Sequence, residues 1–309
     1  MQQVLLGEAP SLTRQQAADA AGVPLALADE LWRLLGFPQP APDEKAFTPA
    51  DVEATKHTKA LIKAGVLSTD EQAALVRTWG RSFARLAEWE VALLAEVARE
   101  RPGDLLTEAT ALASDVLPRV EALQSYIWRR HLASATARVL SVASGEGRVM
   151  AVCFVDIVGY TARSRSLSEE ELVAWIEEFE ASATGVVVDH GCRVIKTLGD
   201  AVLFVGDDPV AAAEAALALT EKGDDDADPF PRVRAGLAVG RLVPRLGDVF
   251  GPTVNVASRL TTVARPGTVV IDDGAADALS GGYSLQRLRR TSVKGYSRLQ
   301  PWALRRIGH

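Results

Sequence analysis

The chain has 309 residues, 48% hydrophobic and 24% charged, which is about two domains' worth of ordinary globular composition with no mark of disorder. Its net charge of −6 is shared out: residues 1–147 carry 15 Lys and Arg against 19 Asp and Glu, the remainder 19 against 21. Neither half has the basic surplus of a protein that lives on nucleic acid or anionic lipid.

No apolar run approaches the ~18 residues of a membrane span, and MQQVLLGEAPSLTRQ lacks the basic start and apolar core of a secretory signal. A cytoplasmic location is expected. The two cysteines, Cys153 and Cys192, lie in apolar strand-like segments and are expected as buried free thiols.

The first part reads as helix after helix. Thr13 precedes RQQAADAAG, which stops at Gly22, and Pro24 opens LALADELWRLLG, which stops at Gly36. A proline-rich connector runs to Phe47. Thr48-Pro49 then begins a helix as N-cap and first residue, with Gly65 at its end. Ser68 caps a long helix from about Asp70 to Arg101, which Pro102-Gly103 breaks. Another helical stretch runs through VEALQSYIWRRHLASATARVL to Gly145. Residues 12–36 have the helix, glycine turn and helix of a DNA-binding unit. Asp29 and Glu30 against Arg33 suit a phosphate backbone poorly, so a packing unit is expected instead.

After Gly145 the pattern changes. VMAVCFVDI is a short apolar run ending in a charge, read as a buried strand. Ser168 and Glu171 form a capping box before ELVAWIEEFEASATGVVVDHG. The strands CRVIKTL and AVLFVG follow, joined at Gly199-Asp200, then a helix from Pro209 and the strand VRAGLAVG. After a turn come the helix TVNVASRLTTVA and the strand TVVID. Strand–helix–strand–strand–helix–strand is the ferredoxin-like α+β order. Residues 1–125 are expected to be all-α, 126–147 a helical linker, and 148–309 the α+β domain.

Asp156 ends an apolar strand, and IVGYT opens the next element. A carboxylate there can hold a cation while nearby backbone N–H groups hold phosphate. Alone it reads more readily as a helix cap. Asp200, in the hairpin turn, has the same double reading, because Gly-Asp suits a turn for backbone reasons. In the ferredoxin-like order the two elements are neighbours, so the carboxylates can converge on Mg²⁺ or Mn²⁺ carried by a nucleotide. Asn255 and Arg259, four apart, share a helix face and present an amide and a guanidinium. A solvated face is the plainer account of that pair alone.

FVDIVGYT, RVIKTLGDAVLF and GDVFGPTVNVASRL together, and in this order, resemble the three signature blocks of the class III nucleotidyl cyclases. The resemblance covers residues 148–309. It implies a ferredoxin-like catalytic domain that makes cyclic AMP from ATP, with two metal ions per active site held by Asp156 and Asp200. It implies that Lys196 and Asp248 read the purine, Asn255 positions the ribose, and Arg259 stabilises the transition state. Ile157, Gly159, Tyr160 and Thr161 fall where the family holds phosphate. It implies a head-to-tail homodimer, because Lys196 and Asp200 serve different active sites in this family.

A Lys/Asp pair suits the adenine edge, so ATP is favoured over GTP. Guanylate cyclase activity and a catalytically silent nucleotide-binding module remain alternatives. Gln300 stands roughly where some relatives place a basic residue on the triphosphate, with Lys294 and Arg298 nearby. The segment through FARLAEWEVALLAEV resembles the helical regulatory domains that precede actinobacterial cyclase domains. That implies control, inhibitory in sense; the residues themselves offer a titrating histidine for a proton signal and Leu/Ala/Val-rich helix faces for a lipid, faces that core packing explains equally. His131, just before the catalytic domain, is the candidate pH-sensing residue.

Overall fold

A computed structural model describes residues 2–65, 69–140, 148–225, 227–245, 247–293 and 296–308. Ser68, Gly145, the 141–147 end of the expected linker and Lys294 lie outside the described residues. The chain divides into two compact units, Met1–Ser141 and Val142–His309.

The first unit is helical: α1 (Gln2–Leu6), α2 (Arg14–Ala21), α3 (Leu25–Leu35), α4 (Pro49–Lys63), α5 (Thr69–Arg99) and α6 (Leu105–Leu140). The punctuation read from sequence has a physical basis here. Thr13 and Thr48 each close a capping box, with Gln16 and Asp51, and Gly22 and Gly36 end α2 and α3 in the left-handed conformation. Ala17, Ala18, Ala28, Trp32, Phe47 and Val52 form one core, with the Trp32 and Phe47 rings 4.2 Å apart. Asp29 pairs with Arg14 of α2 at 3.5 Å, so this acid is occupied within the unit. Residues 126–140 are the last part of α6, which begins at Leu105 and runs on through Pro118. No helix among the described residues is long and apolar enough to cross a membrane.

The second unit contains β1 (Arg148–Ile157), α7 (Tyr160–Ser164), α8 (Glu169–Asp189), β2 (Arg193–Thr197), β3 (Ala201–Gly206), α9 (Pro209–Asp224) and β4 (Val233–Arg245). It continues with β5 (Asp248–Phe250), α10 (Pro252–Val263), β6 (Val269–Ile271), α11 (Asp273–Ala278), β7 (Tyr283–Arg287), β8 (Thr291–Val293), β9 (Tyr296–Leu299) and β10 (Trp302–Arg306). The main sheet runs β2-β3-β1-β4-β6-β10-β7, with β5 on β4. Its first four strands are antiparallel and in the ferredoxin-like arrangement.

Strand alternation divides the core in two. Cys153, Val155 and Ile157 of β1, Phe204 of β3 and Leu237 of β4 meet α8, α9 and α11. Met150 and Val152 of β1, Leu203 of β3 and Ala238 of β4 meet α10 through Ala257 and Leu260. Both cysteines are buried free thiols. Burial pushes the Cys153 thiol well up, and that of Cys192 up to about 11.

Candidate active site

The same alternation aims the site. Asp156 is one residue on from Val155, so it leaves β1 on the α10 face. Arg234 of β4 stands directly opposite it in register. The Arg234 guanidinium donates to Asp156 Oδ2 from Nε at 2.8 Å and from a terminal nitrogen at 2.6 Å. Burial raises the Asp156 carboxyl above the usual range. Arg234 opposes that rise, and the negative charge of Asp200 adds to it.

Asp200 occupies a two-residue hairpin turn between β2 and β3. Gly199 takes φ +74° in it, as primed turns require, and Leu198 N–H donates to Ala201 O at 2.7 Å. The Ile157 amide donates to Asp200 O at 2.8 Å and pins the turn to the end of β1. Asp156 and Asp200 thus line one cleft of 340 Å³, together with Arg234, Ser258, Thr261 and Thr262.

Two carboxylates of raised mutual repulsion are hard oxygen donors of the kind Mg²⁺ and Mn²⁺ take. No group of three or more His, Cys, Asp or Glu that could hold a metal occurs among the described residues. A cation held by this pair would draw its other ligands from elsewhere.

The hairpin also sets Lys196 opposite Leu203, hence on the α10 face. A bulge at Ile195 lets that residue pack on the same side, while Val194 packs on the other. Lys196 Nζ donates to Asp248 Oδ2 at 2.5 Å, and Asp248 Oδ1 accepts from the Val249 amide at 2.8 Å. A donor and an acceptor therefore stand side by side at an open surface.

The helix α10 starts at Pro252 after Gly251, whose φ of +135° only glycine adopts readily. Asn255 and Arg259 share its outward face. Neither pairs with another side chain among the described residues. The helix sits directly on β4, because Gly236 leaves room for it: a Cβ there would lie 2.2 Å from Thr261 N and 2.4 Å from Ala257 O. None of Lys196, Asp248, Asn255 and Arg259 lines the carboxylate cleft.

The expected phosphate segment is placed in part. Gly159, in the left-handed conformation, leads into α7, whose start no side chain caps. Tyr160 stacks on Trp175 with ring centres 5.9 Å apart. The Ile157 N–H donates to Asp200 O and its side chain is buried. Gln300 is buried too, donating to Leu288 O and Pro301 O and accepting from Arg290. It is a structural tie for the strand ends. The side chain of Arg298, like Lys294, lies outside the described residues. His131 is exposed on α6. Arg234 was missed by the sequence reading. Its signal was a lone charge inside the otherwise apolar VRAGLAVG, where a buried-strand cation needs a partner.

Two family models match the chain: the adenylate and guanylate cyclase catalytic domain over residues 142–306 and the adenylate cyclase regulatory domain over residues 1–132. The chain is 40% identical over 282 residues to an adenylate cyclase of Streptomyces coelicolor, covering 89% of this chain and 74% of that one. It is 41% identical to an adenylate cyclase of Streptomyces griseus, covering 90% and 71%. A third relative, an adenylate cyclase of Glutamicibacter nicotianae, is 35% identical over 97% of this chain and 80% of its own. With its regulatory and catalytic parts both matched, the chain belongs to the class III adenylate and guanylate cyclase family.

Proposed function

We propose that the protein is a cytoplasmic adenylate cyclase that converts ATP to 3′,5′-cyclic AMP and pyrophosphate at sites shared between two copies of the chain. The observation that carries the substrate is the Lys196–Asp248 pair, 2.5 Å apart. Lysine only donates and aspartate only accepts, which matches the N1 acceptor and the 6-amine of adenine. Guanine reverses that edge and leaves both protein groups facing like partners, a mismatch that hydrogen-bonding sites reject strongly.

Asp156 and Asp200 would hold Mg²⁺ or Mn²⁺, two per site, and the ions would supply charge that neutralises the triphosphate and acidifies the ribose 3′-hydroxyl. Asn255 positions the ribose. Arg259 donates to the charge that develops on the phosphoryl oxygens. The 3′-oxygen forms a bond to the α-phosphorus in line as the bond to the pyrophosphate oxygen breaks, and the hydroxyl proton leaves to water. The two residue sets line different parts of one chain, which supports a head-to-tail homodimer in which each set completes the other chain's site. Residues 1–125 restrain this catalysis through the segment 126–147, in response to protons or a small apolar effector. If His131 is the proton reader, His131→Ala flattens the activity–pH profile of the full chain. An unchanged profile removes that role.

The test is the purified full chain with ATP and Mn²⁺ or Mg²⁺, with GTP in parallel. Cyclic AMP from ATP, lost in Asp156→Ala that remains folded by circular dichroism, is expected. Cyclic GTP as the main product, or no cyclic nucleotide under any condition, defeats the reading.

A further inference from the structure

On the α10 face, that helix lies over β1, β4 and β6, and the sheet continues past it. Val270 of β6, Ala303 of β10 and Gln286 of β7 stand in register across three strands there. On the reverse face their neighbours Val269, Leu304 and Leu285 are packed in the core against α9 and α11. The small residues at Ala303 and Val270 leave a hollow of 430 Å³, walled by the end of α10 and rimmed by Arg265, Arg289 and Arg305.

That volume is within the roughly 300–1,000 Å³ of small-molecule sites. The hollow shares no lining residue with the carboxylate cleft.

The charge of the rim is out of keeping with the molecule. In a chain of net charge −6, residues 278–309 hold seven Lys and Arg and no Asp or Glu. Other arginines of this region are engaged: Arg306 with Glu214 and Glu221, Arg290 with Gln300, and Arg287 over the Trp302 ring. Arg265, Arg289 and Arg305 have no carboxylate within ion-pair distance among the described residues. Three guanidiniums turned on one hollow repel each other unless an anion sits between them. Guanidinium geometry suits the paired oxygens of phosphate, and the floor offers apolar contact beside them.

We propose that this hollow is a second ligand site, separate from the catalytic centre, for a small organic phosphate whose phosphate sits among Arg265, Arg289 and Arg305. The apolar part of the ligand lies on Ala303 and Val270.

The test is calorimetric titration of the full chain with AMP and with inorganic pyrophosphate, in EDTA so that no cation assists binding at the carboxylates. Saturable binding of AMP with a Kd below about 1 mM is expected. Arg289→Gln/Arg305→Gln should weaken it by at least about tenfold while leaving cyclase activity with saturating ATP unchanged. Lys196→Ala, which disables base reading at the catalytic centre, should leave the binding intact. Arg119→Gln, on the first unit, controls for general charge. The proposal is overturned by absence of saturable binding, by equal affinity in the double arginine variant, or by loss of binding in Lys196→Ala. It is also overturned if an acidic peptide binds there and neither phosphate does. A pyrophosphate affinity equal to that of AMP would refute the role of the apolar floor.

Discussion

Gly236→Ala tests whether α10 acts as a rigid rail for catalysis. The added methyl would sit 2.2 Å from Thr261 N, 2.4 Å from Ala257 O and 2.5 Å from Thr261 Oγ1. Two of these are helix backbone atoms, which cannot rotate aside. Carbon contacts settle at about 3.5 Å, so the helix has to withdraw by about 1 Å. Overpacking of this kind costs about 1–3 kcal/mol of stability, less than the whole of a domain's. The variant therefore still folds, with a lower urea midpoint. Asn255 and Arg259 ride on the displaced helix, and a misplacement of about 1 Å lowers turnover by about 100-fold. The assay pairs urea unfolding with kcat/KM for ATP. Gly282→Ala is the control, since its methyl meets nothing within 4 Å. A folded Gly236→Ala protein with activity within about threefold of the parent, a barrier change under 1 kcal/mol, would refute the reasoning.

Three further outcomes follow from particular contacts. Asp272 caps α11, accepting from Ala275 N at 2.8 Å and Val239 N at 3.1 Å through the same Oδ1, and burial pushes its carboxyl up to about 6. The unfolded group titrates near 3.8, so its ionisation costs the fold stability as pH rises through that window, by up to about 3 kcal/mol. Asp272→Asn keeps both hydrogen bonds and loses the charge. Its advantage in urea unfolding should be nil below about pH 3 and full above about pH 7, and a constant difference would contradict this. Arg234→Gln removes the group that opposes the raised carboxyl of Asp156, so the acid limb of the cyclase pH profile should move to higher pH. A limb that stays in place would show that Arg234 does not hold Asp156 ionised. In the first unit, Gly80→Ala would place a methyl 2.4 Å from Leu35 O, where α5 crosses the end of α3. The clash, about 1–3 kcal/mol, outweighs the ~1 kcal/mol gained in helix propensity, so the urea midpoint should fall.

What could be read in advance was what local chemistry encodes. Thr13, Thr48 and Ser168 announce helix starts because their side chains satisfy amides a few residues away. Asp156 and Asp200 each read singly as a cap or turn residue, and only the ferredoxin-like order, which makes their elements neighbours, and the three blocks together drew them to one place, as the cleft they share does. The extension of α6 back through Pro118 was not legible, because a proline argues locally against a helix that its neighbours sustain. Nor was the Ile195 bulge, which depends on how two cores divide the residues of β2 between them. The commitments of Ile157 and Gln300 to backbone partners appear only once distant strands are laid side by side.

The hairpin between β2 and β3 bears Lys196 on one arm and Asp200 at its tip, with two residues to make the bend and no slack. In the proposed dimer those two side chains would answer to different nucleotides. A tug on the tip by one pocket would then reach the arm at the other, as at the two ends of a seesaw.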